Sequence, residues 1–492
     1  MTKPYQVYID GQWCDAGDGA TFPAINPYNQ QAWARIPDCT ADDVARAVAA
    51  ARKAFNGAWS RTNGLQRASL LLRLAQLLEG NAERMSTLET TDNGKIIRET
   101  FSQMNFAARV IRFFAGYADK IYGSVIPLDQ PEIFDYTLRE PLGVVALITA
   151  WNSPITLLMN KLPAALAAGN CVVIKPSEHA SATTLELCRL VEEAGFPPGV
   201  VNVVTGDHRV GQALVENPDL NKVSFTGSPV GGRAIAAAAA RNLVPVSLEL
   251  GGKSPNIVFD DADFEQAATG ALAGIFAAAG QTCIAGSRLL VQRPLYERMV
   301  DKLATRARGI RLGNPLLKDT EMGTTANRPQ FDRILDFIAS AQSEGATLVT
   351  GGRRASGKDL DGGFFVEPTI FTDVKPGMRI AQEEIFGPVL SIISFDSEDE
   401  AIAIGNDTAF GLAAGIWTRD VARAMRVSKA VKAGIVWVNT YRSVAAQAPV
   451  GGFKQSGYGR ERGEAGLLEF LSTRNVMINY SAAQQDPFAV RT

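Results

Sequence analysis

Apolar positions recur with two different periods along this chain, and the change from one to the other divides it. In TADDVARAVAAARKAFNGAW (40–59) they follow a helical spacing behind a Thr40-x-x-Asp43 capping box, and Gly57 supplies a stop. A second helical pattern runs through LQRASLLLRLAQLLEGNAERMSTLE (65–89). From about residue 141 short, continuous β-rich runs alternate with helices: LGVVALITA, ATTLELCRLVEEAG, VVNVVTG, GQALVENP and KVSFTGS. Strands that are apolar throughout, separated by helices, predict a parallel sheet covered on both faces.

After Gly251-Gly252 the alternation restarts with PNIVFDD, a small-residue helix, SRLLVQR, LYERMVDKLATRAR, ATLVTGG, EDEAIAIGND and GIVWVN. The prediction is therefore an α/β protein with two parallel-sheet domains. VIPLDQPEIFDYTLREPLG (125–143) is Pro-rich, polar and strand-like, as if projecting from the first domain, and RNVMINY near the end has similar character.

Composition narrows the chemistry. A 492-residue chain with 46% apolar residues can bury large cores, and 49 basic against 51 acidic residues leave no electrostatic footprint for nucleic acid. The N-terminus lacks a secretory core, and the longest apolar region carries Asn152, Asn160 and Lys161 at its centre, so a cytoplasmic protein without a membrane span is expected. Five cysteines without a C-x-x-C pair fit neither a disulfide framework nor a thiolate metal site. With only His179 and His208, both in loop-like contexts, zinc-protease and histidine-triad chemistry lose most of their parts. GGRRASGKD (351–359) mimics a P-loop, but Asp359 replaces the required Ser/Thr, and DDADFEQAA (260–268) reads as an acidic helix start.

Four stretches carry candidate chemistry. AAAGQTCIAGSR (277–288) brackets Cys283 with Gly280 and Gly286; a free Cys is commonly a small core hydrophobe, but the glycines and Gln281-Thr282 suit a presented thiol better. LELGGKSP places Glu249 among leucines, either as a base with a raised pKa or as an ion-paired structural acid. FTGSPVGGRAI offers Gly227 and Ser228 between a strand and a helix, where backbone N–H groups can face a phosphate, although no G-x-G-x-x-G is present. VVIKPSE ends a strand with Lys175 and Glu178, suited to a ribose and its phosphates, though a solvated loop would look the same.

Together AWNSP, KPSE, FTGS, LELGGKSP, GQTCIAG, EEIFGPV and GGFKQSGYGRE, in this order and spacing, resemble the aldehyde dehydrogenase superfamily over nearly the whole chain. The resemblance implies a variant Rossmann cofactor domain of residues 1–124 and 144–250, a catalytic domain of 251–450, and an oligomerisation arm of 125–143 with 474–492, in a homodimer or homotetramer. It implies oxidation of an aldehyde to the acid with NAD(P): Cys283 as nucleophile, Asn152 as oxyanion donor, Glu249 as base, and Lys161 with Glu461 as a proton path. Cofactor contacts fall on Trp151, Lys175, Ser177, Glu178, Gly227, Ser228, Glu384 and Phe386. Glu178 favours NAD because a carboxylate repels a 2′-phosphate, while Lys175 leaves NADP open.

The substrate wall implied by the resemblance is Ser153, Leu157, Ile284, Arg442, Val444 and Val450. Ser153, Val444 and Val450 stand where relatives often have aromatic residues, so a wider or more polar pocket is expected, for a bulky or functionalised aldehyde. Arg442 either binds a carboxylate or oxygen-rich ring, or pairs with a neighbouring subunit. The alternatives are a coenzyme A-acylating dehydrogenase, a thiol esterase, and a non-catalytic relative. Intact Cys283, Glu249 and Asn152 count against the last.

Overall fold

A computed structural model describes residues 2–481 and 488. The first helix is Ala41–Asn56, and its reciprocal capping box forms as predicted: the Thr40 hydroxyl accepts from the Asp43 N–H, and the Asp43 carboxylate accepts from Thr40 N–H at 2.8 Å. The long pattern at 65–89 is two helices, Gly64–Gly80 and Ala82–Asn93, because Asn81 both ends the first and opens the second. His208 opens the helix His208–Val215 rather than lying in a loop, and its side chain is exposed, as is that of His179.

Six strands form one sheet in the order Val201–Val203, Cys171–Lys175, Val144–Ile148, Lys222–Thr226, Val246–Glu249 and Gly457–Tyr458. All neighbours are parallel except the last pair. Seven strands form the second sheet, Thr347–Thr350, Thr369–Thr372, Val389–Phe395, Arg288–Gln292, Pro255–Val258, Ala413–Trp417 and Ile435–Val438, parallel except at the first pair. Burial on both faces explains why the central strands, such as Val144–Ile148 and Ala413–Trp417, read as unbroken apolar runs. The largest apolar cluster draws on residues 5–244 and returns for Ala446, Leu467, Phe470 and Leu471; three others lie within residues 257–441. A third sheet pairs Ile133–Pro141 with Leu471–Asn479 along nine residues and with Val125–Ile126 on its other edge. The stretch 351–359 is followed by turns rather than a helix.

Candidate active site

Register places chemistry at one edge of the first sheet. Ile148 pairs with Lys175, Phe225 with Ile148, and Thr226 with Glu249, so the carboxyl ends of four parallel strands finish together. Ligands of open α/β sheets bind outside such ends. Beyond this edge lies a cavity of about 1140 Å³.

The small residues before Cys283 have a conformational reason. Ala278, Ala279 and Gly280 are successive left-handed residues with φ of 53°, 51° and 70°, a path closed to bulky side chains. A Cβ at Gly280 would lie 2.0 Å from the Gly387 carbonyl oxygen, so the two loops touch backbone to backbone. Gln281 anchors the turn: its Nε2 donates to Thr324 O at 3.0 Å and its Oε1 accepts from Ala326 N at 2.9 Å. The Tyr441 hydroxyl donates to Ile284 O at 3.0 Å on the far side. Across the gap, a Cβ at Gly252 would lie 2.4 Å from the Cys283 carbonyl oxygen and one at Gly251 would lie 2.1 Å from Glu384 Oε2. The paired glycines of LELGGK thus leave room for both groups.

Cys283, half-buried, lines the cavity together with Glu249, Asn152 and Glu461. Burial, then the negative charges of Glu384, Glu249 and Glu461, push its thiol up to about 12. Burial and the neighbouring Glu461 raise Glu249 well above the usual carboxylate range. Its Oε1 is buried without a protein hydrogen-bond partner. Asn152 does not aim its whole amide into the cavity, because Nδ2 donates to Gln281 O at 2.9 Å and only the second amide hydrogen is left to a substrate. Lys161, fully buried outside the cavity lining, donates to Glu461 Oε1 and to Ser224 Oγ at 3.1 Å.

All six predicted wall residues, Ser153, Leu157, Ile284, Arg442, Val444 and Val450, line this cavity. Arg442 sits at φ 61° and spends one contact, from Nη1, on Ala273 O at 3.3 Å. Sequence reasoning missed Arg98, Arg109, Arg306 and Arg462, which also line it, and Lys95, buried behind Asn152.

The residues assigned to a cofactor lie elsewhere. Lys175 is buried with its ammonium 3.6 Å from Glu178, whose Oε2 accepts from the Ser177 hydroxyl at 3.3 Å. Ser228 caps the helix Pro229–Ala240, its Oγ accepting from Gly231 N at 3.1 Å, and a Cβ at Gly227 would strike the Phe225 ring at 2.5 Å. Trp151 packs edge-on against Phe386 at 5.2 Å. Glu384 accepts from Gly252 N at 2.9 Å, and burial raises its carboxyl to about 7.

The model of the "Aldehyde dehydrogenase family" matches residues 13–476. The chain belongs to this family. An aldehyde dehydrogenase of Aspergillus niger is 45% identical, covering 96% of this chain and 95% of its own. A betaine aldehyde dehydrogenase of Bacillus subtilis is 42% identical, covering 97% and 98%. The crystal structure of a Staphylococcus aureus betaine aldehyde dehydrogenase in complex with NAD+ superposes with a TM-score of 0.97 at 40% identity, covering 99% of this chain and 97% of that one. The α/β architecture expected from the strand pattern, and the aldehyde dehydrogenase fold that the resemblance implied, are therefore the fold of this protein. Among the described residues no helix is long and apolar enough to cross a membrane.

Proposed function

We propose that this aldehyde dehydrogenase oxidises a functionalised, anionic aldehyde to its carboxylic acid with NAD. The observation that carries the reaction is the convergence on one cavity of a thiol, an amide donor and a buried carboxylate with an unmet oxygen. Glu249 takes the Cys283 proton; sulfur bonds to the carbonyl carbon, and the oxygen becomes an oxyanion held by the free Asn152 amide hydrogen and the Cys283 N–H. Bound NAD supplies the acceptor for the hydride that leaves this carbon, so a thioester remains on Cys283. Once the Lys161–Glu461 path has carried the thiol proton away from Glu249, its carboxylate takes a proton from water, hydroxide adds to the thioester, and the carbon–sulfur bond breaks as that proton passes to sulfur. Lys161 and Glu461 form the proton path behind Glu249.

The strand-end residues suit the dinucleotide. Lys175 and Glu178 would hold the adenosine ribose and Ser177 stands beside them; Gly227 and Ser228, at the start of a helix, would take the pyrophosphate. Trp151, Glu384 and Phe386 would flank the nicotinamide half. The carboxylate of Glu178 favours NAD over NADP. The division into a cofactor domain (1–124, 144–250), a catalytic domain (251–450) and an arm is supported by the separate apolar clusters, with the chain after 450 returning to the first sheet. Residues 125–143 and 474–492 form the arm of a homodimer or homotetramer, though 482–487 and 489–492 lie outside the described residues.

The composition of the wall supports an anionic substrate. A quaternary ammonium such as betaine aldehyde is held by aromatic faces, but the aromatic members of this lining are Phe106 and Phe276, and Phe106 already faces the Arg462 guanidinium at 4.9 Å. Five arginines line the same cavity against four glutamates, Glu99, Glu249, Glu321 and Glu461; Arg98 and Arg462 are engaged with Thr320 O and Asn160 Oδ1, so the anion falls to Arg442. A panel of aliphatic, aromatic and carboxylated aldehydes, followed by NADH absorbance, tests this. Arg442→Ala should raise KM for the best carboxylated aldehyde roughly 10- to 100-fold and leave neutral ones little changed. Acetaldehyde turning over above all bulkier candidates would refute the wide, anion-binding pocket.

A further inference from the structure

Lys95 follows Gly94, the left-handed cap (φ 75°) of the helix Ala82–Asn93, and a Cβ at Gly94 would lie 1.8 Å from Thr324 Oγ1. That turn delivers a lysine only 6% exposed to the underside of the Asn152 loop. Its ammonium donates to Asn152 O at 2.5 Å, Ser153 Oγ at 2.6 Å and Gln103 Oε1 at 3.1 Å. An ammonium has three hydrogens and no lone pair, so each hydrogen is used and Ser153 Oγ is forced to be the acceptor. Ser153 stands at the N-cap of Pro154–Met159, the position where serine normally caps, yet its side chain makes no capping bond. Its own hydrogen is therefore free, and Ser153 lines the cavity. Asn93 adds to the clamp, donating through Nδ2 to Trp151 O and Asn152 O, both at 3.3 Å. Burial is the largest influence on the ammonium and holds it below the usual lysine range, as does Arg442, while Glu89 and Glu99 favour the charge.

We infer that Lys95 is a positioning residue: it fixes the backbone from which the Asn152 amide projects, and it turns the Ser153 hydroxyl hydrogen toward a hydrogen-bond-accepting group of the substrate. The inference rests on the reading of Asn152 as oxyanion donor. A lysine serving the fold alone would lower stability without this directional effect.

The test is a double-mutant cycle read as the pre-steady-state rate of the first NADH formed. Lys95→Met should slow that rate by about 10²-fold, the scale of an ångström of misplacement, while NAD binding persists. In an Asn152→Ala background the same change should cost less than about threefold more, because it acts through a group already removed. Equal losses in both backgrounds would overturn the inference. Asn152→Ala with an unchanged first-turnover rate would instead defeat the oxyanion reading, and the positioning role with it. Should Lys95→Met not fold, Lys95→Gln, which keeps a donor, takes its place in the cycle. Independently, Ser153→Ala should lower kcat/KM for aldehydes bearing an acceptor near the carbonyl and spare alkyl aldehydes; equal effects on both would remove the directed hydroxyl.

Discussion

Cys283 rests as a thiol, because burial and three neighbouring carboxylates hold its pKa near 12. Its proton must pass to a nearby acceptor as substrate arrives, and the unmet oxygen of Glu249 is the one the cavity provides. Cys283→Ala should abolish aldehyde oxidation while NAD binding, measured by calorimetry, survives; more than a few per cent of residual turnover would contradict a covalent route. Glu249→Gln should slow the first NADH formed as well as the release of acid, because the same carboxylate accepts the thiol proton before it activates water; a first turnover at the parent rate in stopped-flow absorbance would show that another group takes the thiol proton. The pH dependence follows from the sign of the shift. Glu249 has a raised pKa, so its basic form gains population as pH rises through that value, and thioester hydrolysis should accelerate with it. The variant should lose that acceleration in single-turnover measurements. Cys283 and Glu249 stood out in the sequence because each sits in a motif whose neighbours are chemically odd for a core, whereas Asn152 was singled out only through the family resemblance. Lys95 was not: next to Asn93-Gly94 it looks like a solvated turn lysine, and only tertiary packing buries it.

At the scale of elements, the helix Ala82–Asn93 carries two buried acids toward the site. Glu89 and Asp92 are both raised to about 7, chiefly by burial. Glu89 Oε1 and Asp92 Oδ1 lack partners, while Asp92 Oδ2 accepts from Ala182 N at 3.1 Å. A carboxyl raised in the fold contributes stability that is present below about pH 4, where both states are protonated, and is lost as pH rises through about 7. Asp92→Asn, which keeps an acceptor for Ala182, should therefore gain more Tm over the parent at about pH 8 than at about pH 5, and little at about pH 4. An equal gain at all these pH values would show that Asp92 is not neutral in the fold. The helix itself was hidden inside one continuous apolar pattern, since Asn81 breaks the backbone without breaking the period. By contrast, the first helix announced itself through side chains that bond locally, and the parallel strands through burial on both faces. The short N-terminal strands, such as Val7–Ile9 and Gln12–Cys14, carry too few residues for any period to show.

For the whole molecule, the third sheet is a part that combines an unpaired strand edge with an exposed apolar face. Phe134 pairs with Ile478, Tyr136 with Val476 and Leu138 with Arg474, so alternation puts Phe134, Tyr136, Leu138, Val476 and Ile478 on one face. Phe134, Leu138 and Ile478 are 45%, 41% and 47% exposed there, an apolar surface on a projecting ribbon. Among the described residues the outer edge of Leu471–Asn479 pairs with no strand, which leaves a row of backbone donors and acceptors open to another chain. Apolar face and open edge together suit a second copy of the same arm, meeting it face to face or continuing its ladder. Replacing Leu138 and Ile478 by lysine should leave the far-UV circular dichroism intact, because both side chains lie outside the cores of the two large sheets. Light scattering coupled to size exclusion should then report a smaller species than the parent. An unchanged mass for the double variant would place the subunit contact on another surface and leave the arm without that role.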